Sequence, residues 1–469
     1  MRASIVLVAL ALAAHGGFSA DDLQSGFLSP PQEAKPQTWY HLMNGNVTKA
    51  GITRDFEALA EAGFGGVQMF DAGCNIPPGG VDFASDAWFD MMRHAAVEAR
   101  RLGLEITVPN CSGWSSSGGP WNPPSNAMKR VVFTETRLKG PRRFSGKLPR
   151  TADDHGFYDD IAVLAFPTPP AELVEFAGVT AHVEPKSFLL RSETPFAIRG
   201  FTYELDIPKQ WNDDMALRIE ASDDGTAFRR LASVFSPVAR SNGRDLSPRY
   251  YGFAEPLTVR AIRVTIVKGA NVRFRAARPE ARMSLSNLGA KTFGARLEVP
   301  SDTLVATPDQ VVAKDSVRDV SAALKPDGSF VWNVPEGEWT LLRLGYAGSG
   351  YVNHPASAHG EGLEVDKLSA AAMDYHFEQY AGRLRRRLGP LAGQVKSGLN
   401  GILVDSFEVG SQNWTQGLEH TFRARCGYSP SAYFPVFAGH VVGGVEESER
   451  FLEDFRRVVA DLFAENYAG

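Results

Sequence analysis

Cysteine is scarce in this chain, with only Cys74, Cys111 and Cys426 among 469 residues. Three thiols so spaced form neither a disulfide framework nor a zinc site. They read as buried free thiols, with room for one disulfide in an oxidising compartment. Basic charge is not in excess either: 49 Lys and Arg stand against 54 Asp and Glu, a net −5. No basic run is interleaved with aromatics, which excludes a nucleic-acid footprint. The one dense basic cluster, Arg383, Arg385, Arg386 and Arg387, precedes Gly389-Pro390. There it reads as the end of a helix, where cations offset the helix dipole. Beyond the N-terminus no stretch reaches the roughly 18 apolar residues of a membrane helix. Phosphate-cradling motifs are missing too. The Gly113–Gly119 stretch is rich in Gly and Ser, but it lacks a Lys-Ser/Thr ending and runs into Pro120. No nucleophile elbow and no Ser-His-Asp order stand out.

What is present begins with Met1-Arg2, an apolar run from Ile5 to Ala14, and Ala20 ahead of Asp21-Asp22. A positive start, a short apolar segment and a small residue before acids describe a secretory signal peptide over residues 1–20. The chain is then exported, to the periplasm or outside the cell. The absence of Cys at the end of the apolar run argues against a lipoprotein.

The length accommodates two or three domains. From residue 28 to 135 the signals alternate. Trp39–Val47 reads as a strand or turn. Thr53 reads as the cap of a helix stopped by Gly63. Phe64–Phe70 reads as a buried strand, Asp86–Leu102 as a helix stopped by Gly103, and Leu104–Pro109 as a strand. Strand and helix in alternation predict parallel βα units. From 136 to 335 short strands and turn signals replace the helices, including an Asp-Gly hairpin over Arg218–Leu231. This region reads as a β-sandwich insertion, discoidin-like around Ser222–Phe228 and Arg260–Val264. From 336 to 469 the α/β pattern resumes. Trp339–Tyr346 reads as a strand, Asp366–Leu388 as one long helix with a stripe at Ala370, Met373, Phe377, Tyr380, Leu384 and Leu388, and Gly401–Phe407 as a strand. Helices follow near Gly417–Cys426 and Glu446–Tyr467. The fold class predicted is α/β, a (β/α)8-type barrel interrupted by a β-sandwich. Only about five barrel strands are counted where closure needs eight, so the barrel reads as incomplete.

In such barrels the chemistry sits at the carboxyl ends of the strands. Three endings are rich in carboxylates, amides, hydroxyls and Trp: Asp71–Asn75, Asn110–Trp121, and Asp405–Glu408 with Gln412–Thr415. That is a sugar-binding toolkit, so Asp71, Asn110, Trp114, Trp121, Asp405, Gln412, Asn413 and Trp414 are the expected substrate contacts. Glu408, after an apolar strand, is the expected catalytic acid. Glycoside hydrolysis usually needs a second carboxyl, about 6.5–9.5 Å away in inverting enzymes and about 5–5.5 Å in retaining ones. Glu364-Val365-Asp366-Lys367 could bind substrate or metal, or serve as dipole partners at a helix start. Glu105, His354 and His359 are weaker candidates.

The Asn110–Trp121 block resembles a signature of glycoside hydrolase family 106. So do Asn44-Gly45-Asn46-Val47-Thr48 with Gly51-Ile52-Thr53, Gly362–Ser369, and Asp405–Thr415. The resemblance runs from about residue 28 to the end. It implies an inverting α-L-rhamnosidase acting on plant or microbial oligo- or polysaccharides, with a barrel, appended β-domains and a calcium-assisted site. Glu408 would match the general acid; the resemblance assigns no calcium ligand by residue. It also implies a longer protein, with the second carboxylate beyond Gly469, and so an incomplete catalytic region here. Two other readings stand beside it: a non-catalytic carbohydrate-binding protein, and a glycosidase of galactosidase-like specificity.

Overall fold

The computed structural model describes residues 20–115, 117–151, 155–206, 214–237, 249–269, 271–285, 288–293, 306–393, 398–404 and 407–468. The expected signal peptide up to residue 19, and Asp405, lie outside the described residues. The chain falls into two compact units. One draws on Met1–Trp114, His354–Glu361 and Glu378–Ser406, the other on Ser115–Asn353, Gly362–Phe377 and Phe407–Gly469.

The first unit is built on a parallel sheet of Gln37–Met43, Gly66–Ala72, Glu105–Pro109 and Gly398–Leu403, in that spatial order. The helix Lys49–Glu61 starts one turn earlier than the sequence suggested. Its cap is Thr48, whose hydroxyl accepts the Gly51 N–H, and not Thr53. The helix Asp86–Leu102 matches its predicted bounds, capped by the Ser85 hydroxyl and ended by Gly103 in the left-handed region at φ 71°. Phe56, Val67, Phe70, Met92 and Ala95 are buried, so the two inner strands carry the core. The outer strands are more exposed, with Trp39 50% and Ile402 37% accessible, although Leu42 is buried. Four strands with open edges are what the described residues form here, and no closed (β/α)8 barrel is among them.

The expected long helix after Asp366 is interrupted. Ala370–Phe377 is α-helical, Glu378–Gly382 is a π turn, and Arg383–Leu388 is α-helical again. Ala372, His376, Tyr380, Leu384 and Leu388 are buried in steps of four, whereas Phe377 is exposed. The arginine cluster does close a helix before Gly389, and Arg387 pairs with Asp86 at 2.7 Å. Cys111 is buried and Cys426 half-buried, but Cys74 is exposed, contrary to expectation; none of the three forms a disulfide.

The second unit holds two antiparallel sheets. One is ordered Arg318–Asp319, Tyr158–Pro167, Ser329–Gly348, Lys129–Lys147. The Trp339–Tyr346 stretch therefore belongs not to a parallel sheet but to a long antiparallel ribbon, paired with Lys129–Lys147 from end to end. The other sheet has six strands, ordered Arg273–Glu280, Ser187–Asp206, Arg249–Lys268, Asp214–Ser222 and Arg229–Pro237, with Thr180–Val183 pairing Ser187–Asp206. The predicted Asp-Gly hairpin is present. The Asp224 carboxylate accepts the Thr226 and Ala227 N–H groups at 2.7 and 2.8 Å, and Gly225 takes φ +82°. Phe188, Leu190, Phe201, Ile219 and Val264 form a core of their own in this sheet. Helices Leu418–Cys426 and Val445–Ala468 follow close to their predicted positions. Among the described residues no helix is long and apolar enough to cross a membrane.

A buried charge cluster ties this unit together. His440 contacts Glu172 at 2.9 Å through Nδ1 and Glu135 at 2.7 Å through Nε2, and Arg282 donates to Glu135 at 3.3 Å. Burial alone would lower the His440 pKa, but attraction from Glu172 and Glu135 outweighs it and holds it at about 9. Burial would raise Glu135, but Arg282 and then His440 pull it down to about 2. A raised His contributes stability that is complete below its unfolded value of 6.5 and lost as pH rises through the folded one. The urea midpoint is therefore expected to fall between pH 6.5 and 9, by roughly 3 kcal/mol of stability. In His440→Asn, titrated across the same range, that alkaline slope should be absent.

Candidate active site

In the first unit, Asp71 ends the strand Gly66–Ala72, and Asn110 follows the strand Glu105–Pro109. Both are buried, Asp71 to 2% exposure. The Asp71 Oδ1 accepts the Ser112 and Ser357 hydroxyls, the latter at 2.6 Å. Ser357 N–H in turn donates to Ser112 Oγ at 3.2 Å, and Gly113 N–H to the Asp71 carbonyl at 2.6 Å. Asp71 Oδ2 is buried with no hydrogen-bond partner. Burial pushes the Asp71 pKa up, and the two serine hydroxyls pull it part of the way back. Gly113 is needed here, since it takes φ +81° and a Cβ would lie 2.6 Å from the His354 carbonyl carbon. Trp114 is half-buried, edge-on to His41 with ring centroids 6.1 Å apart.

In the second unit, Glu408 is half-buried and its N–H donates to the Ser115 carbonyl at 2.8 Å. The Ser115 hydroxyl donates to Glu364 at 3.1 Å, and Ser117 N–H donates to the same carboxylate at 3.0 Å. Lys367 completes this set at 2.8 Å from Glu364, both side chains fully buried. Beside it, Lys129 pairs with Asp366 at 3.2 Å, and the Thr415 hydroxyl donates to Asp366 at 2.8 Å. Burial pushes the Asp366 carboxyl up and the Lys129 ammonium down; their mutual attraction opposes both shifts. Thus Glu364 and Asp366, expected as ligands or dipole partners, are engaged inside the protein.

The remaining expected contacts divide. Trp121 is half-buried and donates from Nε1 to His376 Nδ1 at 3.1 Å. Gln412 is buried. Asn413 spends both ends of its amide on backbone: Oδ1 accepts from Val131 N–H at 2.7 Å and Nδ2 donates to the Thr292 carbonyl at 3.0 Å. Trp414, expected to stack on sugar, is 3% exposed and packs among Tyr346, Phe434 and Phe437. The structure thus groups Asp71 with Asn110 and Trp114 in one unit, and Glu408 with Trp121 and Gln412–Trp414 in the other. Sequence reasoning missed Ser357 and His376. Ser357 lies in the loop where His354 and His359 drew attention, and His376 was hidden in a stripe read as purely apolar. Among the described residues no three His, Cys, Asp or Glu side chains come together to hold a metal ion.

Residues 28–469 match the model of glycoside hydrolase family 106, described as alpha-L-rhamnosidase. A Formosa agariphila protein named "Putative beta-glucuronidase" is 33% identical over 448 residues, 95% of this chain and 29% of its own length. The solved structure of a rhamnosidase from Novosphingobium sp. PP1Y superposes with a TM-score of 0.77 at 30% identity, covering 95% of this chain and 45% of that one. The chain spans less than half the length of either relative.

Proposed function

We propose, from the premise that this chain belongs to glycoside hydrolase family 106, that it forms part of an exported glycosidase that releases L-rhamnose from glycans by inversion, with Glu408 as general acid. The observation that carries this reading is the family match across 28–469, which takes in the strand endings chosen for their chemistry and the Glu408 segment. Glu408 gives its carboxyl proton to the glycosidic oxygen as the bond from that oxygen to the anomeric carbon breaks. Water attacks the opposite face and loses its proton to a second carboxylate, so the anomeric configuration inverts. Asp71, Asn110, Trp114 and Trp121 are the proposed sugar contacts. The Ser115 carbonyl, fixed by Glu364 and Lys367, holds the Glu408 backbone in place. A calcium-assisted site is proposed on family resemblance alone.

A second specificity has a specific observation behind it, the relative named for beta-glucuronidase activity at 33% identity. A panel of 4-nitrophenyl glycosides, assayed with and without a calcium chelator, separates the readings. Turnover of the α-L-rhamnoside above all others supports the proposal. Preferential turnover of the β-D-glucuronide or a galactoside replaces it.

A further inference from the structure

The six-stranded sheet of the second unit has an outer face that takes no part in the site described above. Across this half of the sheet the strands run Thr180–Val183, Ser187–Asp206, Arg249–Lys268, Asp214–Ser222 and Arg229–Pro237. Leu190, Ile262 and Ala221 stand in one transverse row, Phe188, Val264 and Ile219 in another, all buried. Alternation turns the intervening rows outward. One outward row reads His182, Leu189, Arg263, Glu220, Arg230, and the next reads Ser187, Thr265, Arg218, Ser233; on the other side Thr180 and Arg191 are exposed, while Ala261 and Ser222 of the same row are buried. The rows hold four arginines and one carboxylate, Glu220, with Glu184 at their edge 3.5 Å from His182, although the whole chain carries a net −5. Arg191 and Arg230 are exposed, and the Arg218 and Arg263 side chains are 44% and 40% accessible. Glu220 serves both of the latter, at 3.4 Å from Arg218 and 2.9 Å from Arg263. Phe228 lies against the Arg263 guanidinium, 4.0 Å from ring centroid to Cζ.

We propose that this face is a non-catalytic binding surface for an anionic polysaccharide, one that carries carboxylate or sulfate groups. A guanidinium presents paired N–H donors that match either anion bidentately, and it keeps its charge at any working pH. Arg263 and Arg230 stand two strands apart, about 10 Å at the backbone. Arg218 and Arg191 flank them, so the positive charge forms a band across the strands rather than a single pocket. Thr265 adds a hydroxyl beside it, while the Ser187 hydroxyl donates to Glu184 at 3.1 Å and the Ser233 hydroxyl accepts from Arg230. Such a band follows a repeating charged chain. The choice of a polysaccharide over another polyanion rests on the glycan reading above; binding itself is measured without hydrolysis, so the two can fail separately.

Affinity electrophoresis of the whole chain through gels containing polygalacturonate, dextran sulfate, neutral dextran or poly(U) tests this. Retardation by polygalacturonate or dextran sulfate, and not by neutral dextran, is expected, and the stronger of the two identifies the anion. Arg218→Gln with Arg263→Gln, and separately Arg191→Gln with Arg230→Gln, should each weaken binding at least about tenfold with unchanged circular dichroism. Glu220→Gln should tighten it several-fold, because it releases two arginines. The second pair is solvent-facing and keeps the test valid if the first disturbs folding. Equal retardation by neutral dextran, tighter binding to poly(U), no binding, arginine variants that bind like the parent, or weaker binding by Glu220→Gln would each overturn the proposal.

Discussion

Methionine in place of Lys367 is expected to destabilise the second unit by about 3–5 kcal/mol, the usual cost of leaving a buried carboxylate without its cation. Glu364 and Lys367 are fully buried, and the ammonium sits 2.8 Å from the carboxylate. The Ser115 hydroxyl and the Ser117 N–H would still bond the carboxylate, but no positive charge would. Methionine keeps the length of the side chain, so lost packing contributes little. The double variant Glu364→Gln, Lys367→Met removes both charges and should recover a large part of the loss in urea titrations. A single variant as stable as the parent would show that the pair does not hold this segment. Because Ser115 accepts the Glu408 N–H, the single variant should also lower turnover at temperatures where it stays folded.

Glutamine in place of Glu408 is expected to slow hydrolysis of an unactivated rhamnosyl disaccharide by roughly 10²–10⁴-fold, the range general acid catalysis supplies. Glutamine has nearly the same shape and can still hydrogen-bond a glycosidic oxygen, but it has no proton to give. The loss should therefore fall on kcat more than on KM. Steady-state kinetics on purified parent and variant check this. An equal rise in KM with kcat unchanged would make Glu408 a binding residue instead.

Much of the first unit was legible in the sequence. The helix Asp86–Leu102 has apolar residues at helical spacing and a glycine stop, both local signals, and the structure reproduces its bounds. The Asp-Gly hairpin was legible for the same reason. Trp339–Tyr346 was placed in the wrong kind of sheet because ten residues of its strand, Trp339–Gly348, are buried without interruption. A strand covered on both faces shows the same continuous apolar run in a parallel barrel as in an antiparallel ribbon. The π turn at Glu378–Gly382 shifts the phase of the buried stripe, which no spacing of Met373 and Phe377 announces. The site was legible in residue type more than in role. Trp414 and Asn413 sit in a polar stretch that looks made for sugar, yet both are held by segments far away in sequence, Asn413 by Val131 at a separation of 282 residues. Glu364 likewise meets Ser115 across 249 positions. Partnerships of that range are set by the fold and leave no local mark.

The proton-donor role of Glu408 is tested most directly by comparing parent and Glu408→Gln on two α-L-rhamnosides, one with a 2,4-dinitrophenyl and one with a sugar leaving group. Dinitrophenolate departs as a stable anion and needs no proton, whereas a sugar alkoxide needs one. If Glu408 is the acid, the variant loses about 10²–10⁴-fold on the disaccharide and little on the dinitrophenyl glycoside. An equal loss on both substrates would contradict the account, since it would place Glu408 in a step that precedes or ignores proton transfer to the leaving group.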